Sequence, residues 1–357
     1  MIPVTKTFLP EQSEFNSILE EVWKTSWITN RGALVSRLEV QLKSYLKLEG
    51  MFCMTNGTLP LQIAIKALDL KGEIITTPFS YVATTSTIVW ENCQPVFVDI
   101  DPEHLTIDET KIEDAITENT SAILATHIFG NPCHTEFIEK LANRYNLKVV
   151  YDAAHCFGVN YKNKSLFGYG DISTCSFHAT KIFHTGEGGA IFSSNKLLLE
   201  KLYNYHNCGH KGTEDFYGIG INAKMSELQA AMGLAVLPYF ETILKKRSWV
   251  VEYYNQNIDW SLFQKMKIRR ETEWNFGYYP LIFKSEECLL TALTNLNKLQ
   301  IFPRRYFYPS LNQLSYVKKQ ACPVSESVSS RIICLPLYTG LQELELKLIV
   351  DTLNNSF

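Results

Sequence analysis

Ser173–Phe192 reads STCSFHATKIFHTGEGGAIF. A β-type run, Ile172 to Phe177, leads to a single lysine, Lys181, and a Gly-rich turn, Gly186–Gly189, follows it. About 30 residues upstream a second β run, Leu147 to Tyr151, ends in Asp152 within VVYDAAH. A solitary lysine is normally a solvated surface residue. Here its flanking SFHAT and GEGG favour a built site instead.

Working outward from that stretch, the texture between Gly50 and Phe192 alternates. β runs at Met51–Thr55, Glu73–Thr77, Gln94–Asp99, Ala122–His127 and Lys148–Tyr151 are separated by helical patterns such as Ala83–Glu91 and Thr135–Tyr145. Strands spaced by helices argue for a mainly parallel sheet covered on both faces, an α/β fold. Ligands of such sheets sit outside the carboxyl ends of the strands. Thr55–Thr58, Pro78–Tyr81, His127, Asp152–His155 and Ser176–Lys181 all fall there.

The residue types at those ends suit a pyridoxal phosphate (PLP) pocket. Lys181 would form the Schiff base and move protons, since lysine shifts its pKa readily when desolvated. Asp152 would pair with the pyridine nitrogen, although a strand-end aspartate also serves as an ordinary Asx turn. Asn56, Gly57 and Thr58 form a strand-to-helix turn where backbone N–H groups and a hydroxyl favour phosphate, with Ser176 as a further donor. Tyr81 would stack on the flat ring, or pack in a core or interface. His155 would bond ring substituents, or sit as a satisfied buried histidine. His178 and His184 flank the lysine, but no carboxylate or cysteine completes a metal set, so no metal is expected.

The chain has 357 residues, 46% hydrophobic and 20% charged, with a formal charge of -3. That length exceeds what one core sustains, so two lobes are expected. The charge offers no reason for nucleic acid or anionic membrane as partner. Nine cysteines, none in a C-x-x-C pair, read as reduced and mostly buried thiols. The N-terminus lacks a cationic segment leading into an apolar run, and no apolar stretch nears the ~20 residues that span a bilayer. The expectation is a soluble, cytoplasmic protein. Helical patterns cover Phe15–Val22 and Leu34–Leu46, and one long amphipathic pattern from Lys224 to about Tyr254 reads as a helix bridging the lobes. Residues 1–240 are assigned to a large domain with an N-terminal arm, and 241–357 to a smaller α+β domain.

Read together, WITNRGALVSRLE at Trp27–Glu39, SYVATTSTIVW at Ser80–Trp90, HIFGNPC at His127–Cys133, YDAAH at Tyr151–His155, SFHATKIFHTGEGGA at Ser176–Ala190 and GINAKMSELQAAMG at Gly220–Gly233 resemble the DegT-type (DegT/DnrJ/EryC/StrS) sugar aminotransferases. The resemblance spans nearly the whole chain. It implies the aspartate aminotransferase-like fold (fold type I of the PLP enzymes) and PLP as cofactor. On matching positions it implies Lys181 as the covalent lysine and Asp152 as the pyridine partner. It places His155 near the ring hydroxyl, Thr58 and Ser176 at the phosphate, and Tyr81 on the ring. Asn222 matches an asparagine that reaches the phosphate of the neighbouring subunit, which implies a homodimer with shared sites. Thr29 and Asn30, with Arg305 and Tyr308 of PRRYFYPSL, match regions facing the nucleotide sugar. The implied reaction takes an amino group from L-glutamate to a nucleotide-linked keto-deoxysugar, dTDP-4-keto-6-deoxyglucose in the first instance, giving a precursor of bacterial surface polysaccharide such as O-antigen lipopolysaccharide. A 3-keto substrate, or a non-catalytic PLP-binding regulator, are the alternatives. Relatives that dehydrate carry histidine in place of the lysine, and this chain keeps Lys181.

Overall fold

The computed structural model describes residues 1–357. Seven strands form the central sheet: β1 (Met51–Met54), β2 (Glu73–Thr76), β3 (Gln94–Phe97), β4 (Thr120–Thr126), β5 (Lys148–Asp152), β6 (Ile172–Ser176) and β7 (Gly189–Phe192). Their spatial order is β1-β7-β6-β5-β4-β2-β3. Neighbours from β3 across to β6 are parallel, and β7 runs antiparallel to both β6 and β1.

The apolar runs of these strands are buried on both faces because side chains alternate sides at every residue. Ile74, Ala122, Leu124 and Val150 pack in one core with the helices Leu59–Ala67 and Lys196–His206. Their neighbours Ile75, Ile123, Ala125, Val149 and Tyr151 pack in another with the helix Thr135–Tyr145. In register across β4, β5 and β6 lie Thr126, Asp152 and Thr174. The carboxyl ends of three central strands therefore open at one level.

The smaller lobe holds an antiparallel sheet of Phe263–Lys265, Pro280–Phe283 and Ile332–Cys334, covered by helices Glu286–Lys298, Pro323–Arg331 and Glu343–Asn354. The single bridging helix expected from Lys224 to Tyr254 is instead two helices, Glu227–Val236 and Phe240–Asn257, joined by a 3₁₀ turn at Leu237–Tyr239. Pro238 explains the break, since it lacks an N–H and its ring clashes with the carbonyl four residues back. Ser226 sets the start of the first helix in a reciprocal capping box with Gln229. The second helix joins the lobes: Phe240 and Ile243 belong to the large-lobe core, Val250, Val251 and Tyr254 to the small-lobe core.

The N-terminal arm crosses over. Ile2–Pro3 pairs in parallel with Ile301–Phe302, and Ile2 is part of the small-lobe core. All nine cysteines are free, seven of them buried. No helix is long and apolar enough to cross a membrane.

Candidate active site

A cavity of about 410 Å³ lies at the carboxyl ends of β4 to β6, closed on one side by the small lobe. Its walls include Gly57, Thr58, Tyr81, Asp152, His155, Ser176 and Lys181, which the sequence had placed on separate loops. Tyr278, Arg304, Tyr306 and Phe307 of the second lobe complete it.

Asp152 ends β5 and is 5% exposed. Its Oδ2 accepts from the Thr84 hydroxyl at 2.6 Å and its Oδ1 from the Ala154 N–H at 3.1 Å. Burial raises its pKa, opposed by those two bonds and by the charge of Lys181. The carboxylate is thus desolvated and lacks an ion-pair partner of its own. A protonated ring nitrogen is the kind of group that would match it.

Lys181 follows β6 in a tight loop, where its own N–H bonds the His178 carbonyl. Its Nζ donates to the Tyr278 hydroxyl at 2.9 Å. His155 is buried, with its ring near-parallel to those of Phe129 and Phe307. Its Nδ1 accepts from the Phe129 N–H at 3.1 Å, and burial with the nearby Lys181 charge holds its pKa well below the ordinary value. The imidazole is neutral, so its proton sits on Nε2, free to donate.

Gly57 shows why no side chain is tolerated in the turn after β1. A Cβ there would stand 2.7 Å from Ser176 Cβ and 3.0 Å from its hydroxyl. The closeness of Gly57 to Ser176 makes a narrow cradle, with the Ser176 hydroxyl against it and Thr58 also in the cavity wall. The N–H groups of Thr58 and Leu59 are already capped by Asn56 Oδ1, both at 2.9 Å. The donors left for an anion are therefore hydroxyls more than helix amides.

Tyr81 is 58% exposed at the mouth, its ring edge-on to Phe307. His178 also lines the cavity, beside Thr180 and Glu187. His127 does not reach it: buried on Tyr151, it accepts the Cys133 N–H. His184 bonds the Phe8 carbonyl, well away in role from the lysine it follows.

Five of the expected substrate and cofactor contacts lie outside this chain's cavity. Arg305 turns to Glu286 and the Ser330 carbonyl, with Tyr308 stacked on its guanidinium. Its neighbour Arg304 takes the cavity wall because its backbone pairs with Cys334 on the facing strand. Thr29 and Asn30 are exposed, as is Asn222, whose Oδ1 accepts from Lys224. Sequence reasoning missed Tyr278, Arg304 and Thr84. Tyr278 sits in a segment without a motif, Arg304 lies within PRRYFYPSL beside the Arg305 that was chosen instead, and Thr84 is one of several alike in VATTST.

A model of the DegT/DnrJ/EryC1/StrS aminotransferase family matches residues 10–354, and the chain belongs to that family. A dTDP-4-amino-4,6-dideoxy-D-glucose transaminase of Shigella dysenteriae is 40% identical, the match covering 98% of this chain and 97% of that one. Among solved structures, DesI in the presence of its TDP-sugar product superposes with a TM-score of 0.94 at 26% identity, covering 99% and 92% of the two chains. NtdA from Bacillus subtilis with bound cofactor PMP superposes at 0.88 with 26% identity, covering 96% and 81%. The protein is a sugar-nucleotide aminotransferase of fold type I, dependent on PLP.

Proposed function

We propose that this protein moves an amino group from L-glutamate to dTDP-4-keto-6-deoxyglucose, giving dTDP-4-amino-4,6-dideoxyglucose. The observation that carries the chemistry is the meeting of Lys181, Asp152 and the Gly57–Ser176 cradle in one cavity. The Shigella relative supports the choice of sugar and of carbon 4.

The residues present fit the cofactor. The Cβ-free cradle with the Thr58 and Ser176 hydroxyls would hold its phosphate, buried Asp152 its ring nitrogen, and Lys181 its aldehyde carbon. His155 would donate from Nε2 at the ring's hydroxyl side, and Tyr81 would cover the ring. When bound, PLP supplies an aldehyde that accepts the amine and a protonated ring that withdraws electrons from the reacting carbon. Around it the chain does the rest. Lys181 would take a proton from the donor's α-carbon and deliver one to the cofactor's aldehyde-derived carbon, reversing that path when the sugar is aminated. Asp152, held by the Thr84 hydroxyl, would keep the ring nitrogen protonated. Tyr278 and Phe307, both packed on Phe129, give the cavity an apolar wall.

We place Asn222, Thr29 and Asn30 in the site of a neighbouring subunit of a homodimer. In support, all three are exposed and outside their own chain's cavity, and the Glu227 N–H bonds the Ile28 carbonyl, so both segments share one surface. That region also exposes Trp27, Phe216 and Ile219, large apolar groups suited to burial against a second copy. We place the product in cytoplasmic supply of surface polysaccharide such as lipopolysaccharide O-antigen. The test is the absorbance of the PLP-loaded protein before and after L-glutamate. Loss of the yellow band with release of 2-oxoglutarate is expected, and an unchanged band would defeat the reading.

A further inference from the structure

Tyr278 reaches Lys181 from the other lobe, and its segment is fixed from two directions. Asn275 Nδ2 donates to the carbonyls of His155 (2.8 Å) and Phe157 (2.9 Å), while its Oδ1 accepts the Gly277 N–H at 3.0 Å. Arg247, 6% exposed, spends its guanidinium on the carbonyls of Phe276 (2.9 Å) and Gly277 (2.7 Å). Arg247 has no carboxylate partner, although a buried cation without one is costly. So expensive an arrangement calls for a return, and what it holds in place is the residue immediately following. The Tyr278 ring packs against His155, centroids 4.6 Å apart, and its hydroxyl meets Lys181 Nζ.

We propose that Tyr278 is a positioning residue for amine transfer: it holds the Lys181 amine whenever that amine is not covalently engaged, with Arg247 and Asn275 as its rigid mount. The inference rests on the transaminase reading, in which Lys181 must be released from the cofactor carbon and then carry a proton between two atoms. A released lysine has a four-carbon stem and many rotamers. Anchoring one N–H on the phenol oxygen restricts it to the arc between those atoms. The phenol keeps its own proton throughout, so Lys181 alone takes up and gives back the proton, and the count balances.

Tyr278→Phe is the test, because it keeps the ring and its packing and removes only the acceptor. Two readouts are needed. In the apoprotein, acetylation of Lys181 by acetic anhydride, followed by peptide mass spectrometry, should be several-fold faster in the variant while other lysines react at wild-type rates. In the loaded enzyme, kcat for amine transfer should fall ~10- to 100-fold with KM for the sugar nucleotide unchanged. Equal acetylation rates would overturn the proposal, as would unchanged kcat or a rise in KM alone. Wild-type protein that fails to transfer amine while the variant still shows faster acetylation would instead defeat the transaminase reading and leave the contact standing.

Discussion

The Thr84 hydroxyl donates to Asp152 Oδ2 at 2.6 Å, joining the first turn of the Val82–Trp90 helix to the end of β5. Behind it stands a buried run of hydroxyls. Thr126 donates to Ser80 at 3.0 Å, and Ser80 meets Thr84 at 2.7 Å. Because Asp152 only accepts when ionised, the donors run one way, Thr126 to Ser80 to Thr84 to Asp152. Thr84→Val keeps the shape and removes the donor. Leaving a buried carboxylate oxygen unpartnered should destabilise the apoprotein by ~1–3 kcal/mol in urea unfolding. Ser80→Ala, one step removed, should lose less.

Asp152 also makes stability depend on pH in a calculable direction. Its folded pKa is raised above the ordinary 3.8, chiefly by burial. Below the ordinary value both folded and unfolded chains hold the proton, and no penalty exists. As pH rises through the folded value, the unfolded chain has already released its proton, so the apoprotein loses stability. Asp152→Asn removes that loss. Melting temperatures of the two apoproteins should diverge in favour of the variant as pH rises above about 4, while its amine exchange with L-glutamate collapses. Parallel melting curves across that range would remove the argument.

Gly57→Ala tests the cradle. The added Cβ would meet Ser176 Cβ at 2.7 Å, and neither atom is the loose end of a flexible chain. The turn and β6 must part, at a cost of ~1–3 kcal/mol. PLP retention in equilibrium dialysis should weaken by ~10-fold or more. Retention equal to wild type would mean that the phosphate is held elsewhere.

Glu227 is a buried carboxylate at 2% exposure that serves as a remote helix cap. It accepts from Gly32, Leu34 and Val35 N–H groups at 2.9, 2.7 and 3.3 Å, where the Ala33–Leu46 helix has no side-chain cap of its own. Glu227→Ala should lower stability by ~2–4 kcal/mol in denaturant unfolding. Glu227→Gln, which keeps an acceptor, should fall between. The Thr29–Gly32 loop should also become protease-sensitive in the alanine variant, since this carboxylate is its anchor.

How far the sequence could be read follows from what each residue's signal is made of. Asp152, Ser176 and Lys181 were legible because each follows a β run in a parallel-sheet pattern, and such ends converge by topology. Gly57 and Thr58 were legible as a strand-to-helix turn. Tyr278 lies 97 residues beyond Lys181 at the head of the Tyr278–Phe283 β run, which carries no motif, and only docking of the second lobe brings the two together. Arg304 and Arg305 are indistinguishable by composition, and pairing of Arg304 with Cys334 decides which one faces the cavity. The helix expected through Tyr254 kept its apolar period across Pro238, which is why the break went unseen. The Lys196–His206 helix and the antiparallel β7 gave no distinctive period within their short spans.

The most direct measurement is product NMR after incubating PLP-loaded protein with L-glutamate and dTDP-4-keto-6-deoxyglucose, with Lys181→Ala as control. The account predicts one 2-oxoglutarate per amino sugar formed, nitrogen on carbon 4, and no product from the control. Nitrogen on carbon 3, product from Lys181→Ala, or no amino sugar at all would contradict it.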